Sequence, residues 1–465
     1  MFRSFLSCNI LMPLLRSHRI KKARQYSALQ RIIPEFDENI SDRISNKEIK
    51  IRNHPGIIRT ANGDLPDNLK NAFVDILSGV SKKQLIKESQ SFARYLHSRQ
   101  PPAEKNSLKS QITAIKEEVE NAFDIDRAGL SEEQREYYDN LVQLNTSNIL
   151  KQRIYNWQPI IFTRYTGLQY LFARGAAEYA VISRVFHEIK IRENFMPNTL
   201  FDFGSGVGTA VWAANETWGN SLKEIFCVDA SKDMICLSED LIDSYQKELK
   251  NKLSYRQFLP IHPNYDIVVS AYSLMELPST ETRLETLAKL WSKTNKYLVL
   301  IEQGTTAGFK VISEARQFLL EAIKDEKSNM EAHIFSPCPH DMDCPKLNKA
   351  GHNPCHFQIA YNSYPQKKQP KKELFSYVVF SKETRKSDDK QWPRVVRPVL
   401  CKSRHVICRM CTSSGTLQEI IFTPTKHGRI PYRCAKSCKW GDRLPLRIKY
   451  LTEQQADDQV ENKVK

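Results

Sequence analysis

The sequence predicts a doubly wound α/β protein, and three observations carry that expectation. Strand-like apolar runs TLFDF (199–203), EIFCVD (224–229), YDIVVSA (265–271) and KYLVLIE (296–302) are separated by helical stretches of ordinary length. That alternation builds a parallel sheet with right-handed crossovers. A glycine-rich turn, D-F-G-S-G-V-G-T at 202–209, follows the first run and precedes a helical one. The chain has 465 residues, 41% of them apolar, enough for two or three packed units. A disordered chain and a small disulfide scaffold are thereby excluded. No apolar run after the N-terminus reaches the roughly 18 residues of a spanning helix, so stable membrane insertion is not expected.

Residues 1–34 contain seven cations (Arg3, Arg16, Arg19, Lys21, Lys22, Arg24, Arg31) and no acid, with apolar residues between them. This is the composition of a mitochondrial presequence, and R-Q-Y-S at 24–27 suits cleavage between Tyr26 and Ser27. The alternative is a basic nucleic-acid arm. Loss of 1–26 removes six cations and lowers the formal charge from +16 to +10. The expected compartment is the mitochondrial matrix, where cysteines are reduced or metal-bound. Either charge predicts a polyanionic partner, nucleic acid or an anionic membrane surface.

Between 27 and 190 the apolar residues recur at helical spacing, for example Leu69, Phe73, Ile76, Leu77 and Val80. A helical N-terminal region is expected there, ending in RYTGLQYLFARGAAEYAVISRVFHEI at 164–189. Residues 191–324 form the expected α/β core, with 265–271 as its fourth strand. From 325 to 372 Cys, Pro, His and Lys replace the periodicity, which reads as an insertion. Within 373–445, LFSYVVFSK (374–382) and RHVICRMC (404–411) read as the last strands of the sheet, and 446–465 as a polar tail. Residues 361–410 carry 13 Lys+Arg against 4 Asp+Glu, with Tyr377, Phe380 and Trp392 interleaved. That pattern suits an RNA-facing surface, against the plainer reading of a solvated loop. It also disfavours a small-molecule methyltransferase.

The turn's glycines let the backbone bend sharply and approach a ligand. A dinucleotide fingerprint would place a third glycine where Thr209 stands, whereas an acid two residues before Gly204 is typical of S-adenosylmethionine (SAM) sites, so SAM is favoured over NAD. In this reading Asp202 faces the methionine amino group, Gly204, Gly206 and Gly208 shape the pocket, and Asp229 accepts hydrogen bonds from the ribose. Strand 265–271 leads into SAYSLMELP, where ligands bind in open α/β sheets. The Asn/Asp-Pro-Pro-Tyr/Phe tetrapeptide common in nucleobase N-methyltransferases is absent there. Cys227 and Cys236 read as small hydrophobes, and Glu276 and Glu302 as general-base candidates or ordinary loop carboxylates. No catalytic residue is assigned.

Eight of the 11 cysteines fall between 338 and 438. In a reducing compartment such crowding argues for metal. The spacing of Cys338, Cys344 and Cys355 is too wide for a zinc knuckle, but three loop thiolates with one remote thiolate can hold a [4Fe–4S] cluster. Cys408-x-x-Cys411 with Cys434-x-x-x-Cys438 resembles a zinc ribbon, and His340 and His356 are further zinc candidates. Iron–sulfur and zinc both remain open on spacing.

Together, R-Y-T-G-L-Q-Y-L, D-F-G-S-G-V-G-T, A-Y-S-L-M-E-L, I-E-Q-G-T-T-A-G-F, C-P-H-x-x-x-C-P, C-H-F, R-H-V-x-C and W-G-D occur in order over about 150–445. The chain thereby resembles the mitochondrial small-subunit ribosomal assembly family Rsm twenty-two, or methyltransferase-like protein seventeen. The resemblance implies a class I methyltransferase-like domain with a [4Fe–4S] cluster, acting in assembly of the mitochondrial small ribosomal subunit. Its implied partners are small-subunit rRNA and ribosomal proteins, bound as a monomer. It places the cluster ligands at Cys338, Cys344, Cys355 and Cys411, with Cys408 the alternative for the last. Pro354 replaces an aromatic residue before C-H-F, and the spacer before Cys355 is long. The alternative function is an active SAM-dependent rRNA methyltransferase.

Overall fold

A computed structural model describes residues 32–450, apart from 60–62, 78, 124, 126–128, 154–156, 262, 325–330, 348–352 and 366–368. The expected presequence lies outside the described residues. After a strand at Ile32–Phe36 and a short helix at Glu38–Ser45 come helices α1 (Asp67–Asp75), α2 (Lys82–Ser98), α3 (Lys105–Phe123) and α4 (Glu132–Arg153). Helix α5 (Arg164–Tyr170) passes through a π turn at Leu171–Gly175 into α6 (Ala176–Glu193).

The alternating part follows as β1 (Thr199–Phe203), α7 (Thr209–Trp218), β2 (Glu224–Val228), α8 (Lys232–Tyr245), β3 (Leu253–Arg256), β4 (Tyr265–Ala271), α9 (Thr280–Lys293), β5 (Thr294–Gln303) and α10 (Thr306–Lys324). Strands β6 (His333–Ser336), β7 (Phe357–Tyr361) and β8 (Lys371–Ser381) complete an eight-stranded sheet. Its order is β3-β2-β1-β4-β5-β8-β6, with β7 also paired to β8. Strands β1 to β5 are parallel, and β8 is antiparallel to both β5 and β6. This is the doubly wound order with one antiparallel strand inserted, a methyltransferase-like α/β fold whose switch point lies between β1 and β4.

The strands read as unbroken apolar runs because both faces are covered. Along β5, Tyr297, Val299 and Ile301 join the core that holds Val185, Phe186 and Trp212, while Leu298 and Leu300 join Leu287, Trp291 and Val311 on the opposite face. Strand β8 splits the same way, with Tyr377 and Val379 on one side and Val378 and Phe380 on the other. β3 is a short, half-exposed edge strand, so no apolar run announces it.

The expected helical N-terminal region divides in its packing. Leu69, Phe73 and Leu85 belong to the sheet's core, whereas Ile115, Val119, Tyr138 and Val142 of α3 and α4 form a cluster of their own. Helical periodicity shows that a face is buried, not what covers it. A second correction concerns 404–411, expected in the main sheet. Strands β9 (Arg394–Val395), β10 (Leu400–Cys401), β11 (Val406–Cys411) and β12 (Leu417–Phe422) form a separate antiparallel sheet, followed by α11 (Pro424–His427) and α12 (Arg429–Ser437). Residues 36–447 form one compact unit, and Ile32–Phe36 pairs with Leu446–Tyr450 in a two-stranded sheet.

Candidate functional site

The glycine turn caps the carboxyl end of β1. Gly204, Gly206 and Gly208 have φ of +70°, +52° and +90°, a left-handed backbone that side-chain-bearing residues rarely adopt. A Cβ on Gly204 would lie 2.4 Å from the Ser273 Cβ, so the turn also packs tightly against the loop after β4. The Gly206 N–H donates to Asp229 Oδ2 at 2.8 Å, and the Ser231 N–H to Asp229 Oδ1 at 2.9 Å. Asp229 therefore ties the first βα turn to the second.

A cleft of about 660 Å3 opens over this turn, reaching from Gly204 and Asp229 to Glu302. It is rich in carboxyl groups. Burial, with the charges of Asp229 and Glu178 added, pushes the Asp202 carboxyl up to about 8. Burial pushes Glu302 up to about 8 as well, and raises Asp229. Asp202 Oδ2 is buried without a hydrogen-bond partner among the described residues. Of the two base candidates, Glu276 is engaged by Arg99 at 2.5 Å, while Glu302 accepts from the Met275 N–H at 3.1 Å.

Sequence reasoning missed the far wall of this cleft. The π turn at Leu171–Gly175 delivers Arg174, whose guanidinium lies 5.2 Å over the Tyr272 ring and pairs with Glu178 at 3.3 Å and Glu373 at 2.9 Å. Tyr272 itself has φ of +58°, an uncommon conformation for a bulky residue. The C-terminal end of α2 adds Leu96 and Arg99 to the lining. A π insertion cannot be read from periodicity; only the run R-Y-T-G-L-Q-Y-L-F-A-R-G marked the segment.

Cys338, Cys344, Cys355 and Cys411 all line one small space, walled by Pro345, Lys346 and Phe357. Burial and the neighbouring thiols raise the pKa of Cys344, Cys355 and Cys411. Among the described residues, no three His, Cys, Asp or Glu side chains close on a point suited to a single metal ion. His340 Nε2 stands 3.3 Å from Cys411 Sγ.

Of the zinc-ribbon set, Cys408, Cys434 and Cys438 lie near one another, but Cys411 is not brought to them. Alternation along β11 turns Cys408 to the opposite face from Cys411, and Cys408 Sγ points instead to the Ala435 carbonyl on α12. Near it, Cys438 Sγ is 3.5 Å from His54 Nε2. The Gly56 N–H donates to His54 Nδ1 at 3.2 Å, so the ring proton of the neutral imidazole sits on Nε2 and faces the sulfur. His356 packs at a tilt against Trp440, ring centroids 5.1 Å apart.

The model of the mitochondrial small ribosomal subunit Rsm22 family matches residues 164–445. The chain belongs to the Rsm22 family. The human mitochondrial ribosome assembly protein METTL17 is 36% identical over 406 residues, 85% of this chain and 86% of that protein. Rsm22-cox11 tandem protein 2, mitochondrial, of Schizosaccharomyces pombe is 32% identical over 221 residues, 39% of this chain and 29% of that one. Among solved structures, the Synechocystis magnesium protoporphyrin IX methyltransferase with bound SAH aligns with a TM-score of 0.30 at 14% identity, over 51% of this chain and 94% of that chain.

In this Rsm22 chain the thiol site is braced by a buried carboxylate. Glu188 on α6 receives Arg394 Nη2 at 2.5 Å, Arg192 at 3.3 Å and Arg184 at 3.5 Å, with Ser336 Oγ at 2.8 Å and Tyr377 Oη at 3.0 Å. Arg394 Nε also donates to the Pro337 carbonyl at 2.9 Å, the residue before Cys338. The basic segment 361–410 is partly consumed in this way. Arg394 is buried on Glu188, Arg385 pairs with Asp341 and Asp389, and Lys386, Lys390 and Arg409 pair with Glu193, Asp37 and Glu419. Lys382 donates to the Trp291 and Thr294 carbonyls.

Proposed function

We propose that this protein is an assembly factor of the mitochondrial small ribosomal subunit, required for mitochondrial translation, that works in the matrix against rRNA and ribosomal proteins. In this reading Cys338, Cys344, Cys355 and Cys411 hold a structural [4Fe–4S] cluster, and the cleft at β1 and β2 binds SAM. The observation that carries the cluster is the meeting of three loop thiols and one strand thiol around a single small space. Buried side by side as thiolates they would repel one another, and a cationic iron core relieves that repulsion. Bound there, it would cross-link the 338–355 loop to β11.

The same charge argument favours SAM. Its ammonium and sulfonium groups suit a cleft lined by Asp229 and Glu302, with Asp202 buried beneath the turn, where the pyrophosphate of a dinucleotide would meet carboxylates. Asp202, with an unpartnered oxygen, would take the amino group. Asp229 already accepts one backbone N–H on each oxygen and keeps lone pairs for ribose hydroxyls. The three glycines shape the turn around the ligand.

Cys344→Ser tests the assembly reading. The purified variant should lose absorption near roughly 400 nm and co-sediment poorly with small subunits. Normal sedimentation of an iron-free variant would separate the cluster from assembly and refute a bracing role. The intact glycine turn also favours a second reading, an active rRNA methyltransferase. Gly206→Val should then erase one rRNA methylation while subunit association survives; if assembly and methylation both survive it, the cleft does not serve methyl transfer.

A further inference from the structure

Six of the 13 cations of 361–410 are tied down, and a second basic face lies elsewhere in the same unit. Between Glu419 and Asp442 the sequence has five cations, Lys426, Arg429, Arg433, Lys436 and Lys439, and no acid. All five side chains are exposed, and none forms an ion pair among the described residues. Arg429, Arg433 and Lys436 stand at i, i+4 and i+7 on α12, one face spanning about 10 Å at 1.5 Å per residue. Cys434 and Ala435 occupy the buried face, which packs on β11, β12 and the turn at Ile51–Asn53.

As a merely solvated face this would be poorly built. Like charges at i,i+4 destabilise a helix, and nine residues with a glycine N-cap that supplies no side-chain bond have little stability to spare. A polyanion laid along the face removes that repulsion. We infer that the exposed face of α12, extended by Lys426 and Lys439, binds the phosphate backbone of RNA. The inference rests on the rRNA-facing reading above and assigns the surface. An anionic membrane fits less well, because an interfacial helix needs an apolar face to insert, and that of α12 is already buried in the protein. Beside Lys439, a cleft of about 630 Å3 lined by Arg59, Gln358 and the half-buried Trp440 offers room and an aromatic surface for a nucleotide.

The test compares the full-length chain with R429Q/R433Q/K436Q and with K372Q/K402Q/R404Q, a control on the 361–410 segment. Each is titrated against a mitochondrial small-subunit rRNA transcript over a range of KCl concentrations. Glutamine keeps helix propensity, and an unchanged melting curve confirms folding. The α12 variant should lose about 2–3 from the slope of log K against log salt and bind on the order of tenfold more weakly at fixed salt. Wild-type affinity and slope in the α12 variant, with loss in the control variant, would overturn this inference and leave the rRNA-facing reading standing. Absence of salt-dependent binding by the wild-type chain would overturn both. Unchanged RNA binding by the α12 variant with lost binding to cardiolipin-containing vesicles would assign the face to a membrane instead.

Discussion

Glu188→Gln is the substitution from which the structure expects the largest stability loss. Glu188 is fully buried and Arg394 is 2% exposed. Burial alone would keep the Glu188 carboxyl neutral, but Arg394, Arg192 and Arg184 outweigh it and hold it well below the usual carboxylate range. Glutamine preserves the shape but only one acceptor, so either Ser336, which donates to Oε1, or Tyr377, which donates to Oε2, meets an amide N–H2 instead, and the guanidiniums are left buried opposite no charge. Breaking a buried pair in this way costs about 3–5 kcal/mol. At about 2–4 °C per kcal/mol for a large domain, the melting temperature should fall by on the order of 10 °C.

The assay is calorimetric unfolding under anaerobic conditions at a series of pH values. The folded carboxyl titrates below its unfolded value, so its stabilisation is present above the ordinary glutamate pKa of about 4.3 and is lost as pH falls through the lower folded value. The gap between wild type and variant should therefore be full near neutrality and narrow in acid. Because Arg394 also holds Pro337, the variant should surrender the iron of the proposed cluster to a chelator faster. A variant within about 1 kcal/mol of wild type near neutrality would refute the bracing role.

Cys411→Ser should abolish iron binding, whereas Cys408→Ser should keep iron and lose only packing under α12; iron analysis of the two variants decides, and the opposite pattern would move the fourth ligand to Cys408. Asp202, pushed up to about 8, holds its proton at pH 7 in the free cleft and should release it when a cationic ligand binds. Calorimetric titration with SAM in buffers of different ionisation enthalpy should show that release, with affinity rising from about pH 7 to 9, and Asp202→Asn should remove both. The folded pKa lies above the unfolded one, so the ligand-free chain loses stability as pH rises from about 4 to 8, and Asp202→Asn should stabilise it at pH 8. A pH-independent SAM affinity would contradict the charge reading of the cleft.

The parallel core was legible because strands covered on both faces leave unbroken apolar runs, and the glycine turn because its geometry needs residues without a Cβ. What escaped was set by long-range contact. The half-exposed β3 has no apolar run, and the strand at 406–411 reads the same whether it pairs in the main sheet or a separate one. The π turn that brings Arg174 to the cleft leaves no periodic mark. Net charge misled more subtly: the excess at 361–410 counted Arg394 and Lys386, whose partners Glu188 and Glu193 lie outside that window. The acid-free stretch around α12, by contrast, is legible in the sequence as five cations between Glu419 and Asp442.

The central claim is that four cysteines drawn from a loop and a strand hold an iron–sulfur cluster that braces an rRNA-facing assembly factor. Anaerobic purification of the full-length protein followed by iron, sulfide and zinc analysis tests it most directly. About four iron and four sulfide per chain, lost together in Cys344→Ser, is the expected result. One zinc per chain with no iron would contradict it.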